Sequence, residues 1–235
     1  MKNILTIFKK ELRSYFNSPV AYIVLFVFLI ITGWFFTSSL FLAGFVTMRN
    51  VFDIIPFIFL FFIPAITMRA FSEEKKSGTI ELLMTKPITD EEIIIGKFLA
   101  ALSLTAIALA FTVVYVFSLT FLGKIDLAPI IGTYIGLLLM SGIYISIGIF
   151  ASSLTENQVV AFILSFVIVF ALFLLNKVLI FLPATVASIL EYISTDYHFS
   201  SISRGVIDTR NVIYYLSGIT IFILLTKASL ERRKW

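Results

Sequence analysis

Apolar residues fall into six long runs, about Val20 to Phe45, Val51 to Met68, Phe98 to Leu122, Leu127 to Phe150, Val159 to Leu182 and Val212 to Thr226, parted by shorter polar stretches. A helix crossing about 30 Å of hydrocarbon needs roughly 20 mostly apolar residues. The runs therefore predict six transmembrane helices. Backbone in lipid must satisfy its own hydrogen bonds, which leaves helices or closed barrels. Barrel strands alternate apolar and polar residues, and these runs do not. The expected fold class is all-α: a polytopic integral membrane protein forming one transmembrane domain over residues 1–235, with no soluble appendage.

Finer patterning lies between and within the runs. In MKNILTIFKKELRSYFNSP, Ile4, Leu5, Ile7, Phe8, Leu12, Tyr15 and Phe16 fall near one helical face, with Lys9, Lys10, Glu11 and Arg13 largely on another. Residues 1–19 are thus expected to form an N-terminal interfacial helix that turns at Asn17-Ser18-Pro19. The second run holds Pro56 and Pro64, which loosen a helix either as static kinks or as bending points. In the fourth, Gly132 and Gly136, Gly142 and Ser146, and Gly148 and Ser152 are four apart, a spacing that lets helices approach closely, within the subunit or against a second copy. Pro183 breaks the fifth run. Beyond it, Val186, Ile189, Leu190 and Ile193 mark a short amphipathic helix, and 183–211 is expected to be an outer re-entrant or interfacial segment.

Charge orients these spans. With the N-terminus inside, 13 Lys and Arg fall on cytoplasmic segments against 5 outside, as the preference of basic residues for the cytoplasmic side requires. Both termini and the 69–97 loop are then cytoplasmic, in a multi-pass protein of the cell inner (plasma) membrane. The formal net charge of +4 becomes a topology signal and an attraction to anionic membrane lipid, with no indication of nucleic-acid binding. The first run is longer than a signal-peptide core and lacks a clear cleavage site, so it is expected to be a retained span. The absence of Cys removes disulfides and thiolate chemistry.

One stretch departs from this pattern. RAFSEEKKSGTIELLMTKPITDEEIIIGKFLA, Arg69 to Ala100, holds six of the fourteen acidic residues. Thr89-Asp90-Glu91-Glu92 has capping-box spacing, so a helix should start at about Thr89. Upstream, Gly78 and Pro87 bracket TIELLMTK, about two turns with Ile80, Leu83 and Met84 on one face. So short a helix needs support, from the ends of the spans or from a second protein gripping it at i, i+3 and i+4. A solvated loop that only keeps the spans apart is the plainer alternative.

This stretch resembles the hallmark of the ABC type 2 permeases: an Arg ending the second span, an acidic pair, GT-x-E-LL-x-T-x-P, then G-K-F opening the third span. SSLTENQVVA (Ser152 to Ala161) and YHFSSISRGVIDTRNVIYYLS (Tyr197 to Ser217) are similar to the same family, and the second especially resembles its gliding-motility-associated and nitrous-oxide-reductase-maturation members. The resemblance covers essentially the whole chain. It implies the transmembrane permease subunit of an ATP-binding cassette transporter, an exporter paired as a homodimer and docked to two cytoplasmic ABC ATPase subunits, with room for an auxiliary extracytoplasmic subunit. It makes 69–97 the cytoplasmic coupling loop, with a coupling helix at about Ser77 to Thr85. The partner-binding residues would be Glu73, Glu74, Gly78, Thr79, Ile80, Glu81, Leu83, Met84 and Pro87. The 183–211 segment becomes an outer gate, with Pro183, His198, Arg204 and Asp208 as its candidate residues.

The chain has no P-loop sequence, so ATP and Mg are expected on the partner ATPase and no cofactor in this chain. A membrane-embedded enzyme is disfavoured, because few ionisable groups fall at depth. Asp53, Asn176 and Lys177 sit near outer span ends, and the single histidine, His198, cannot build an H-E-x-x-H zinc site. A non-transporting anchor or scaffold for a cytoplasmic complex stands as the alternative function.

Overall fold

The computed structural model describes residues 2–42, 44, 47–79, 88–123, 126–181, 183–206 and 208–232. Its helices are α1 (Lys2–Asn17), α2 (Pro19–Thr37), α3 (Arg49–Thr67), α4 (Ser72–Lys76), α5 (Asp90–Thr120), α6 (Leu127–Leu154), α7 (Gln158–Val178), α8 (Ala184–Ile193), α9 (Thr195–Ile202) and α10 (Thr209–Glu231). A π-helical turn, Ser38–Leu42, prolongs α2, and a 3₁₀ turn, Leu179–Phe181, prolongs α7. Six of these helices are long and apolar enough to cross a membrane, so the chain is an all-α, polytopic membrane protein. Among the described residues there is no strand.

Local chemistry sets the boundaries. Ser18 accepts a hydrogen bond from the Val20 amide and Pro19 occupies the first turn of α2, a position where its missing N–H costs nothing. The chain therefore breaks between α1 and α2 at the expected Asn17-Ser18-Pro19 step. Asp126, Asn157 and Asp208 cap α6, α7 and α10 in the same way. The last span begins at Thr209 and ends at Glu231, longer than its apolar run, because capped polar turns extend the helix beyond the hydrocarbon-like stretch. α3 runs through both Pro56 and Pro64 as one helix.

α6 is the most enclosed helix, with α3, α5, α7, α9 and α10 packed around it. Its small residues are used inside the subunit. A Cβ on Gly132 would lie 2.6 Å from the Ile202 carbonyl oxygen, one on Gly136 would lie 3.1 Å from the Phe199 ring, and one on Gly148 would overlap Thr67. Gly142 receives Ile219 of α10 while Gly218 receives Ile143 of α6. By contrast α2, α7 and α10 turn much of their apolar surface outward, including Phe26, Trp34, Val167 and Leu224. Such faces suit lipid or a second membrane protein.

Candidate functional site

The end of the bundle that carries α1 and the 69–97 loop is knit by ions. Lys97, in the second turn of α5 and only 4% exposed, sits 2.8 Å from Glu74 of α4 and 3.3 Å from Glu11 of α1. Its ammonium also lies 5.2 Å from the centre of the Phe71 ring. Lys10 approaches the same Glu11 and Glu74 oxygens at 3.3 and 3.7 Å. A lysine this deep is tolerated only where carboxylates replace its water. The cluster thus ties α1, α4 and α5 together.

Neighbouring contacts tighten the same joint. Gly96 leaves room for Ile7 of α1, since a Cβ there would fall 2.7 Å from the Ile7 side chain. The capping box is present: the Glu92 amide donates to Thr89 Oγ1 at 3.3 Å and the Thr89 amide to Glu92 Oε2 at 3.2 Å. Asn3 Nδ2 donates to the same Oε2 at 3.0 Å, pinning the start of α1. Farther along α1, the buried Tyr15 hydroxyl donates to the Ile66 carbonyl at 3.0 Å, and burial, aided by Glu11, pushes its pKa well up, so it stays protonated.

Between α3 and α4 the chain turns, and Ser152 of α6 serves the turn. Its Oγ accepts from the Phe71 and Ser72 amides at 2.9 and 3.0 Å and donates to the Met68 carbonyl at 3.0 Å. Lys75 Nζ donates to the Ser153 carbonyl alongside. α4 is thereby mounted on α6 as well as on α1 and α5. It ends at Gly78, whose φ of +69° is the left-handed conformation glycine adopts most easily. Thr79 follows, its hydroxyl 2.8 Å from that of Ser77.

Of the sequence-predicted coupling residues, Glu74 is therefore inside the ion cluster, Glu73 is exposed on α4, Gly78 makes the left-handed turn after α4, and Thr79 follows it. Ile80, Glu81, Leu83, Met84 and Pro87 lie outside the described residues. Lys97, Glu11 and Ser152 were not singled out from sequence as partners. The available signal for Lys97 was a lone cation opening an apolar run, which also fits a topology charge.

At the opposite end, α9 packs on α6, α7 and α10, and α8 on α9 and the end of α7. His198 is buried, its Nδ1 2.7 Å from Asn211 Oδ1 and its Nε2 3.1 Å from the Tyr192 carbonyl. Its ring stacks on Tyr214 at 3.9 Å. Tyr144 of α6 meets the Thr195 hydroxyl at 3.1 Å, and Tyr215 of α10 donates to the Thr195 carbonyl at 2.8 Å. Asp196 accepts from Asn176 at 2.6 Å and pairs with Lys177 at 3.4 Å, both at the end of α7. The remaining gate candidates are dispersed: Pro183 precedes α8, Asp208 caps α10, and Arg204 is exposed on a cavity of about 500 Å³ that Arg49, Asp53 and Asp126 also line.

Among the described residues no three His, Cys, Asp or Glu side chains group as a metal site. Among the described residues the two ends offer ion pairs, caps and aromatic packing. What they offer is a mechanical joint at one end and a stitched cover at the other. A family model described as ABC-2 family transporter protein matches residues 5–235. The chain belongs to the ABC-2 transporter family. ABC-2 permeases are non-catalytic transmembrane subunits that typically pair with cytoplasmic ATPase subunits, which agrees with a chain lacking a P-loop. Comparison with curated proteins finds no match to this ABC-2 permease.

Proposed function

We propose that the protein is the permease of an ABC exporter, with N- and C-termini cytoplasmic in the plasma membrane, and that it works as a homodimer driven by two ATPase subunits. The observation that carries the reading is the mounting of α4. Its Glu74 reaches Lys97 of α5 at 2.8 Å, Lys97 reaches Glu11 of α1 at 3.3 Å, and its first residues hang on Ser152 of α6. A push delivered to the loop that follows Thr79 would be passed at once to two spans, α5 and α6, and to α1.

In this reading α1 lies in the cytoplasmic interface and the 69–97 loop is the coupling loop. The ATPase grips Ile80, Leu83 and Met84, with Glu73, Glu81 and Pro87 around them. ATP-driven closure then tilts α3 and α5, and the 183–211 cover, held by His198 and its tyrosines, opens to release substrate outside. ATP and Mg belong to the partner. An auxiliary subunit on the outer face and the gliding-motility or nitrous-oxide-maturation kinship stay within the proposal, as does the domain division at 1–19, 69–97 and 183–211.

The test is co-purification from native membranes with an ATPase assay on the eluate, for the wild type and for the double substitution Leu83→Asp, Met84→Asp. Recovery of an ATP-binding partner that the double substitution loses, with membrane insertion intact, is the expected result. Full docking by the double variant would overturn the coupling assignment, and a stable protein that brings no ATPase would favour the scaffold.

A further inference from the structure

A second cavity, of about 430 Å³, opens where α1, α2 and α3 meet beside the ion cluster. That lies within the roughly 300–1,000 Å³ of small-molecule sites. Its polar lining includes Glu11, Ser14, Tyr15, Asn17, Arg69 and Glu73.

Arg69 and Glu73 are four residues apart, a spacing that pairs opposite charges on a continuous helix. Here α3 ends at Thr67 and α4 begins at Ser72, so Arg69 lies in the turn between them and Glu73 in the first turn of α4. Among the described residues neither has an ion-pair partner. The Arg69 Nε is buried and donates to nothing. All the ion pairs of Glu11 run through Oε1. The cavity therefore presents a guanidinium with unspent donors and, within the same walls, two carboxylates with unspent acceptor capacity.

A simple anion would answer the arginine and leave the carboxylates facing it. A simple cation would do the reverse. A zwitterion satisfies both. The cavity lies at the foot of α2 and the end of α3, next to Tyr15 and Phe16 of α1, with Tyr22 edge-on to Phe16 at 6.1 Å; aromatic residues gather at this depth in membrane proteins. With α1 in the cytoplasmic head-group layer as proposed above, the zwitterion at hand is a phospholipid.

We infer that this cavity binds the head group of a phospholipid carrying a primary amine, its phosphate on Arg69 and its ammonium between Glu73 and Glu11. Arginine matches phosphate geometry with several N–H donors. A primary ammonium offers N–H donors to the carboxylates, whereas a choline group offers none. The bound lipid would brace α1 against α3 next to Lys97 and bias the joint through which the loop acts. The inference rests on the proposed placement of α1 and not on ATPase docking.

The test uses the purified full chain in detergent, without ATPase, and native mass spectrometry with dioctanoyl phosphatidylethanolamine, phosphatidylcholine and phosphatidylglycerol. The ethanolamine lipid is expected to bind at least about tenfold tighter than the other two, the discrimination of one charge-assisted hydrogen-bond set. Arg69→Gln should lose that binding by a similar factor. Glu73→Gln should remove the advantage over phosphatidylcholine while sparing what the phosphate contributes. Ser14→Trp, which fills the cavity from its exposed side and removes no charge, should weaken all three lipids with helix content unchanged; it keeps the proposal testable if Arg69→Gln fails to fold. Equal binding of the three lipids with no effect of Glu73→Gln and Ser14→Trp would overturn the site. Preference for phosphatidylglycerol would reduce it to an anion pocket and overturn the amine head-group reading, and free O-phosphoethanolamine competing as well as the lipid would assign it to a soluble ligand and overturn the lipid reading.

Discussion

Lys97 and Lys227 show how depth decides what an ion pair does. Lys97 is buried among Glu74, Glu11 and the Phe71 ring, whereas Lys227, partly exposed, meets the exposed Glu91 at 2.6 Å. Breaking a buried pair strands a desolvated charge and typically costs about 3–5 kcal/mol. Lys97→Met is therefore expected to lower the melting midpoint in detergent sharply, and adding Glu74→Gln should restore part of the loss because fewer carboxylates are left uncompensated. Glu91→Gln should leave the melting curve unchanged, since solvent and salt screen an exposed pair. Ser152 belongs with Lys97: Ser152→Val leaves the Phe71 and Ser72 amides without acceptors, and each unsatisfied buried donor costs about 1–3 kcal/mol.

Among elements, the contact between α6 and its neighbours carries the most specific expectation. Gly132 and Gly142 look alike in sequence, yet a Cβ at Gly132 meets the Ile202 backbone and one at Gly142 meets the end of the Ile219 side chain. Gly132→Ala must push α9 away and is expected to destabilise by about 1–3 kcal/mol. Gly142→Ala should be milder, because the Ile219 tip can swing aside; parallel thermal melts compare the two. The small residues four apart were legible as a packing face, but sequence left open whether the partner was the same chain or another copy. Tertiary contact decided for the same chain at Gly132, Gly136, Gly142 and Gly148. Thr89, the Ser18-Pro19 break and the helix after Pro183 were legible because caps and prolines act over three or four residues. α9 was not foreseen as a separate helix, since its start at Thr195 depends on Tyr144 and Tyr215 reaching it from α6 and α10.

For the whole molecule, the charge asymmetry and the bundle make one joint expectation about the two ends. Lys9 lies on α1 and Arg204 beyond α9, both exposed, at opposite ends of the bundle. Because the chain contains no cysteine, Lys9→Cys and Arg204→Cys can be labelled with a membrane-impermeant thiol reagent against a silent background. Only Arg204→Cys should react from outside intact cells, and Lys9→Cys should require access to the cytoplasm. Labelling of both from one side would remove the orientation on which coupling and head-group binding depend.

Hydropathy and caps are properties of neighbouring residues, so the sequence by itself determined six membrane helices, the turns at Ser18 and Pro183 and the start of the third span. Family kinship was likewise legible, because a motif such as GTIELLMTKP is a run of neighbouring residues. The meeting of Lys97 with Glu74 and Glu11, of Ser152 with the α3–α4 turn, and of His198 with Asn211 was decided only by the tertiary structure. Each joins residues far apart along the chain or across a helix break, and their burial depends on how the helices stack. Lys97 read from sequence is one more positive charge on the inner side; surrounded by α1, α4 and α5 it becomes the pin of the joint.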